Sequence, residues 1–168
     1  HYSRNQNWIS KGSSLVLNEI EKLTNKLPNI KFDLYGVDNK QPIWADNFLN
    51  VISQSKVALN LSQGAPSKHY TSDRFAQLMG NGLLVMIDKK TEISDFFKKD
   101  EVVTYTDIND LSKKIEKFTN DDPLRQKIAK KGRDKYFKFF NSTIIAEFII
   151  NKTFNINKEY FWEKKSKN

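Results

Sequence analysis

The chain has 168 residues, no cysteine and a formal charge of +8 at pH 7, with a sequence pI near 9.5. That length suits one domain with a core of its own, and the absence of cysteine excludes disulfides, thiolate zinc sites and sulfur nucleophiles. No apolar run approaches the ~20 residues that cross a bilayer, the basic start lacks a signal-peptide core, and the positive balance points to an anionic partner such as a nucleotide, a nucleic acid or an acidic membrane surface.

The chain opens on His1 rather than methionine, so a fragment that lacks an upstream domain is expected. Val16, Ile20, Leu23 and Leu27 then recur at helical spacing after Ser13 and Ser14, and Pro28 with Asn29 ends that helix. Ile30 to Tyr35 reads as the first buried strand. A short helix is expected over Phe48 to Gln54, a second strand over Val57 to Leu61, and a helix over Ser72 to Met79 that stops near Gly80 and Gly82. Leu83 to Ile87 and Val102 to Tyr105 are the third and fourth strands. Asp107 caps a helix with Ile108, Leu111, Ile115 and Phe118 on one face, and Asp122-Pro123 opens another that runs toward Tyr136. Ser142 begins a last apolar helix. Residues 1–154 form the domain and 155–168 a helical tail.

Strands that alternate with helices imply an α/β fold, a doubly wound parallel sheet of Rossmann-like type with helices on both faces. Ligands of such sheets sit beyond the carboxyl ends of the strands, so the loops after Tyr35, Leu61, Ile87 and Tyr105 carry the expectation of function. The connection from Ser62 to Arg74 is long for this fold, where about 2 to 6 residues are usual. It ends at Ser72, a good helix cap, where free backbone N–H groups and the helix dipole favour a phosphate. Lys68 and Arg74 add cationic side chains to the same anion. A polar surface loop with Arg74 in a structural ion pair accounts for those residues equally well, and a lone loop histidine such as His69 is more often a surface residue than a catalytic one. There is no Walker-type run, no GxGxxG and no metal-ligand spacing among the acids. The lysines from Lys127 to Lys138 and from Lys158 to Lys167 read as solvated faces, and the C-terminal aromatics as core.

Lys56 to Ser62, followed by Ser72-Asp73-Arg74-Phe75-Ala76-Gln77-Leu78-Met79-Gly80-Asn81-Gly82-Leu83-Leu84-Val85, resembles the C-terminal domain of group 1 glycosyltransferases, most of all the branch related to spore maturation proteins. Glu92 to Phe97, Asp110 to Phe118 and Asp122-Pro123 through Arg133 extend the likeness, as do Lys11-Gly12 and Phe32 to Gly36 upstream. The resemblance implies the GT-B architecture. In it this chain is the half that binds a nucleotide-diphosphate sugar, an absent N-terminal domain binds the acceptor, and transfer proceeds with retention. It implies no cofactor and no metal, and a cytoplasmic location with the basic face as a route to peripheral membrane contact. By position, Lys11, Lys68 and Arg74 would supply charge to the diphosphate, and Gly64 and Ser72 would make backbone or hydroxyl contacts. Gln77 would reach the ribose where relatives carry a glutamate, and His69 stands where many relatives have another. Those two departures keep a non-catalytic nucleotide-sugar-binding module open as an alternative, and a basic nucleic-acid-binding domain is the remaining one.

Overall fold

A computed structural model describes the backbone of residues 6–36, 40–61 and 65–165, and within those stretches the side chains of residues 16–163. Three short strands, β1 (Val57–Asn60), β2 (Leu84–Asp88) and β3 (Val103–Tyr105), form one parallel sheet in the order β1-β2-β3. Val57 pairs with Leu84, and Met86 pairs with Val103. The helices are α1 (Gln6–Lys26), α2 (Ala45–Ser53), α3 (Asp73–Gly80), α4 (Ile108–Asn120), α5 (Asp122–Phe139), α6 (Ser142–Thr153) and α7 (Phe161–Lys165). None of the described helices is long and apolar enough to cross a membrane.

Strand β2 explains the layering. Its residues Leu84, Val85, Met86 and Ile87 are all at most 1 % exposed, because successive side chains of a strand point to opposite faces and both faces here are covered. Leu84 and Met86 join Ile20, Leu23, Leu27, Leu111, Ile115 and Ile128 on one side. Val85 and Ile87 join Ile52, Phe75, Leu78, Phe96 and Phe97 on the other. The doubly wound α/β reading therefore holds. The link from β2 to β3 carries no α-helix and begins with two single 3-10 turns, Lys89–Thr91 and Ile93–Asp95.

One expected strand does not form. Residues 30–35 are extended but have no ladder partner among the described residues, although Ile30, Phe32 and Leu34 pack on the core. Alternating apolar residues demand one buried face, and packing alone satisfies that demand without a hydrogen-bonded neighbour. Helix α1 also starts upstream of Ser13 and Ser14, so neither serine is its cap.

Toward the C-terminus, α5 crosses the chain just ahead of β3 so closely that a Cβ on Gly132 would lie 2.1 Å from the carbonyl oxygen of Glu101. Only glycine fits there. The last segment folds back onto α5 and α6. Phe140 stacks on Trp162, Phe139 stacks on Phe161, and buried Asn151 donates to the Tyr160 hydroxyl at 2.7 Å. Of the aromatics read as core, Phe137 and Phe154 are exposed.

Candidate functional site

The carboxyl ends of β1 and β2 are joined by two loops that hold each other. Asn60, the last residue of β1, is buried, and its side-chain oxygen accepts from the Ser72 hydroxyl at 3.0 Å. Ser72 has the extended backbone of a cap, but its side chain makes no cap bond. It ties the start of α3 to the end of β1 instead. At that helix start the carboxylate of Asp73 accepts the Arg74 N–H at 2.9 Å, so an anion of the chain itself already meets one of the free donors of the first turn.

Beyond β2, Asp88 accepts the Lys90 N–H at 2.8 Å and its backbone carbonyl accepts the Thr91 hydroxyl at 2.7 Å. These bonds fix a turn whose Thr91 is 1 % exposed. The Thr91 carbonyl in turn accepts the backbone N–H of His69 at 2.7 Å. His69 Nε2 lies 2.8 Å from Asp95 Oδ2, and Lys68 Nζ lies 2.8 Å from Glu92 Oε2. The imidazole also rests against Phe96, with ring centroids 4.6 Å apart and planes at 61°. Both His69 (φ 58°) and Glu92 (φ 51°) adopt left-handed backbone, which costs a non-glycine residue roughly 1–2 kcal/mol each. The two loops therefore clasp at four points, through two backbone conformations that need support.

A second group of ionisable residues gathers at the same end of the sheet. Burial pushes the Tyr105 phenol far above its ordinary value, and the negative charges of Glu19 and Asp88 push in the same direction. The Glu19 carboxyl is raised by desolvation first and by Asp88 second, with Lys22 opposing. After β3, Asp107 caps α4 through the N–H groups of Asn109 and Asp110, at 2.8 and 3.0 Å.

The residues singled out in the sequence are distributed as follows. Lys11 falls within α1, but its side chain lies outside the described residues, as does Gly64. Lys68 and His69 are drawn to the turn after β2, and Ser72 to β1. Arg74 and Gln77, three residues apart, share an exposed face of α3, and among the described residues neither side chain has a partner. The structure brings Lys68 and His69 together with Glu92 and Asp95, which sequence spacing did not single out. Among the described residues, one ligand atom from each of His69, Glu92 and Asp95 lies within 4.8 Å of the others. The spacing of Glu92 and Asp95 carried no usable signal, because Glu92 precedes the Ile93–Asp95 3-10 turn in left-handed backbone and only the folded turn brings it beside Lys68.

The opposite end of the sheet is built differently. A cavity of about 150 Å³ there is lined by Lys56, Asn81, Leu83, Arg125 and neighbours. Helix C-termini collect at this end, and cations meet their carbonyls. Lys56 donates to the Thr119 carbonyl at 2.9 Å, and Arg133 donates to that of Gly80 at 3.0 Å.

A family model described as "Glycosyl transferase-like" matches residues 17–151, a span that includes the sheet, both clasped loops and most of α6. Searches among curated proteins and among solved structures returned no match.

Proposed function

Since this chain belongs to the glycosyl transferase-like family, we propose that it is the donor half of a GT-B glycosyltransferase, holding a nucleotide-diphosphate sugar across the carboxyl end of its sheet. A second domain would bring the acceptor, and the anomeric carbon would pass to an acceptor hydroxyl as the nucleoside diphosphate leaves, with retention.

The observation that carries this reading is the docking of the loop before α3 onto the turn after β2, within the family-matched region and at the end of the sheet where ligands of open α/β folds bind. Arg74 offers a partner-free guanidinium at the start of α3 for two-point contact with a phosphate. Gln77 lies one turn further along the same face and can hydrogen-bond a ribose diol. Ser72 keeps the α3 terminus against β1. Lys11 and Gly64 belong to this proposal by position in the sequence.

Calorimetric titration of the chain with UDP, GDP and their sugar conjugates tests it. The expected outcome is saturable binding of one nucleotide, weakened about tenfold in Arg74→Ala, the scale of one charge-assisted contact. Absence of binding to every nucleotide diphosphate would sink the donor-site assignment. One observation favours a second reading, a binding module without transfer activity: Gln77 is uncharged, and His69 is engaged by Asp95 rather than left unpartnered. Glu at position 77 would raise transfer in the complete protein on that reading and lower it on the first.

A further inference from the structure

One group at the carboxyl end of the sheet takes no part in holding the nucleotide as proposed. Asp88 and Tyr105 close β2 and β3 and stand opposite each other in register. Each lies two residues beyond a member of the core on the α1 side, Met86 or Val103, so both side chains point to the face that α1 covers. Glu19 comes from α1 itself, one helical turn from Val16 and from Leu23, which pack on that face.

Tyr105 is 8 % exposed, and its hydroxyl has no hydrogen-bond partner among the described residues. Among those residues no fully enclosed side-chain N or O atom lacks a partner, so the ring is buried while its oxygen reaches the surface. Glu19 is exposed and is likewise without a hydrogen bond or ion pair. The charges that act on the phenol are both negative, those of Glu19 and Asp88. Lys22 partly offsets Glu19. Lys89 and Lys90, which follow Asp88, are exposed, and neither is among the charges that shift Tyr105 or Glu19. A buried ring thus presents an unused hydroxyl between two carboxylates.

We propose that Glu19, Asp88 and Tyr105 form the subsite for the glycosyl group of the donor and restrict that group to uncharged sugars. This rests on the donor-site reading. Gln77 and Arg74 lead along α3 to the end of the sheet in the order ribose, diphosphate, and the glycosyl group is the next part of a nucleotide sugar. Strands lie about 4.8 Å apart, which puts the end of β3 roughly 10 Å across the sheet from the end of β1, with Asp88 between them. The chemistry is complementary to a polyol. Sugar hydroxyls donate to the two carboxylates, and the Tyr105 hydroxyl both donates and accepts. A uronic acid sugar would bring its own carboxylate against Glu19 and Asp88, and like charges at close quarters exclude a ligand more effectively than a missing contact does.

The test is calorimetry of the whole chain with neutral and acidic donors that share one ring configuration: UDP-glucose against UDP-glucuronate, UDP-galactose against UDP-galacturonate, and GDP-mannose against GDP-mannuronate, with UDP and GDP as references. The contribution of the sugar is read as the ratio of nucleotide-sugar affinity to free-nucleotide affinity, which a partial loss of folded protein leaves unchanged. At least one neutral sugar should raise affinity several-fold over its nucleotide, and its acidic counterpart should bind about tenfold or more weaker than the neutral form. Tyr105→Phe should bring the neutral ratio down toward one. Glu19→Gln should relieve most of the penalty on the uronate. Both variants should bind the free nucleotide as the native chain does. Uronates that bind as well as neutral sugars, or ratios that Tyr105→Phe and Glu19→Gln leave unchanged, overturn the subsite and keep the donor reading. No binding of any nucleotide by the native chain removes both.

Discussion

The two ends of the sheet use charge in opposite ways. At the amino end, Lys56 and Arg133 donate to helix carbonyls, and Lys135 pairs with Glu101 at 2.8 Å with both side chains about 15 % exposed. Those three cations satisfy helix carbonyls or a largely buried acid that also accepts the Lys98 N–H. At the carboxyl end the pairs are between exposed or half-exposed side chains on two separate loops, and exposed ion pairs contribute little to stability. Charges that cost little to separate are the ones a ligand can rearrange. The amino end is built to stay put, and the carboxyl end is built to exchange partners.

Substitutions at each end should therefore divide cleanly between stability and binding. The largest effect is expected from Gly132→Ala at the amino end, where the new methyl group meets the Glu101 carbonyl. Overpacking against backbone should cost about 3 kcal/mol or more, read as a fall in thermal midpoint. Lys135→Met should follow at about 1–3 kcal/mol, since the largely buried Glu101 carboxylate would keep the Lys98 N–H but lose its counter-charge; chemical denaturation measures it. Neither change should alter nucleotide affinity except through loss of folded protein.

At the carboxyl end, Asp107→Asn isolates a pH effect. The N–H groups of Asp110 and then Asn109 hold the Asp107 carboxyl below its ordinary value of 3.8. A carboxyl lowered by folding stabilises the protein above its unfolded value, and that contribution disappears as pH falls through the folded value. Asparagine can still cap the helix, so the variant should melt near the native midpoint at pH 7 and lose less stability between pH 4 and pH 2. The smallest expected change in stability is that of Arg74→Ala, whose thermal midpoint should match the native one while nucleotide binding drops about tenfold. A large fall in midpoint for Arg74→Ala would erase the contrast between the ends.

Much of the frame was legible in the residues, because it rests on local chemistry. Asp107 does cap α4 and α5 does open at Asp122-Pro123, although the capping side chain there is that of Asp121, and the apolar runs over 57–61, 83–87 and 102–105 each match a strand to within one residue at either end. Ile30 to Tyr35 shows the limit. Alternation reports which face of an extended segment is buried, whereas a ladder depends on a neighbour that the segment does not encode. Serines 13 and 14 show another, since a serine looks the same as a cap or within a helix until the residues ahead of it are known. At the candidate site, Lys68, His69 and Ser72 were found from the loop, but what they touch was not. Asn60, Glu92 and Asp95 lie up to 27 residues from them in sequence, and only the order of the strands brings those segments together. Glu19 was invisible for the same reason, because its neighbours Asp88 and Tyr105 come from two different strands.

The left-handed backbone at His69 and Glu92 also makes the clasp a record of descent. Glycine is the residue that relaxes such a conformation most readily, so random drift at both positions has an easy route toward it. A family member with glycine at the two equivalent positions would keep the path of both loops while giving up the imidazole and a carboxylate. One that retains side chains there bears the strain in return for their chemistry. Comparison at just these two positions thus sorts relatives that inherited a shape from those that inherited a site.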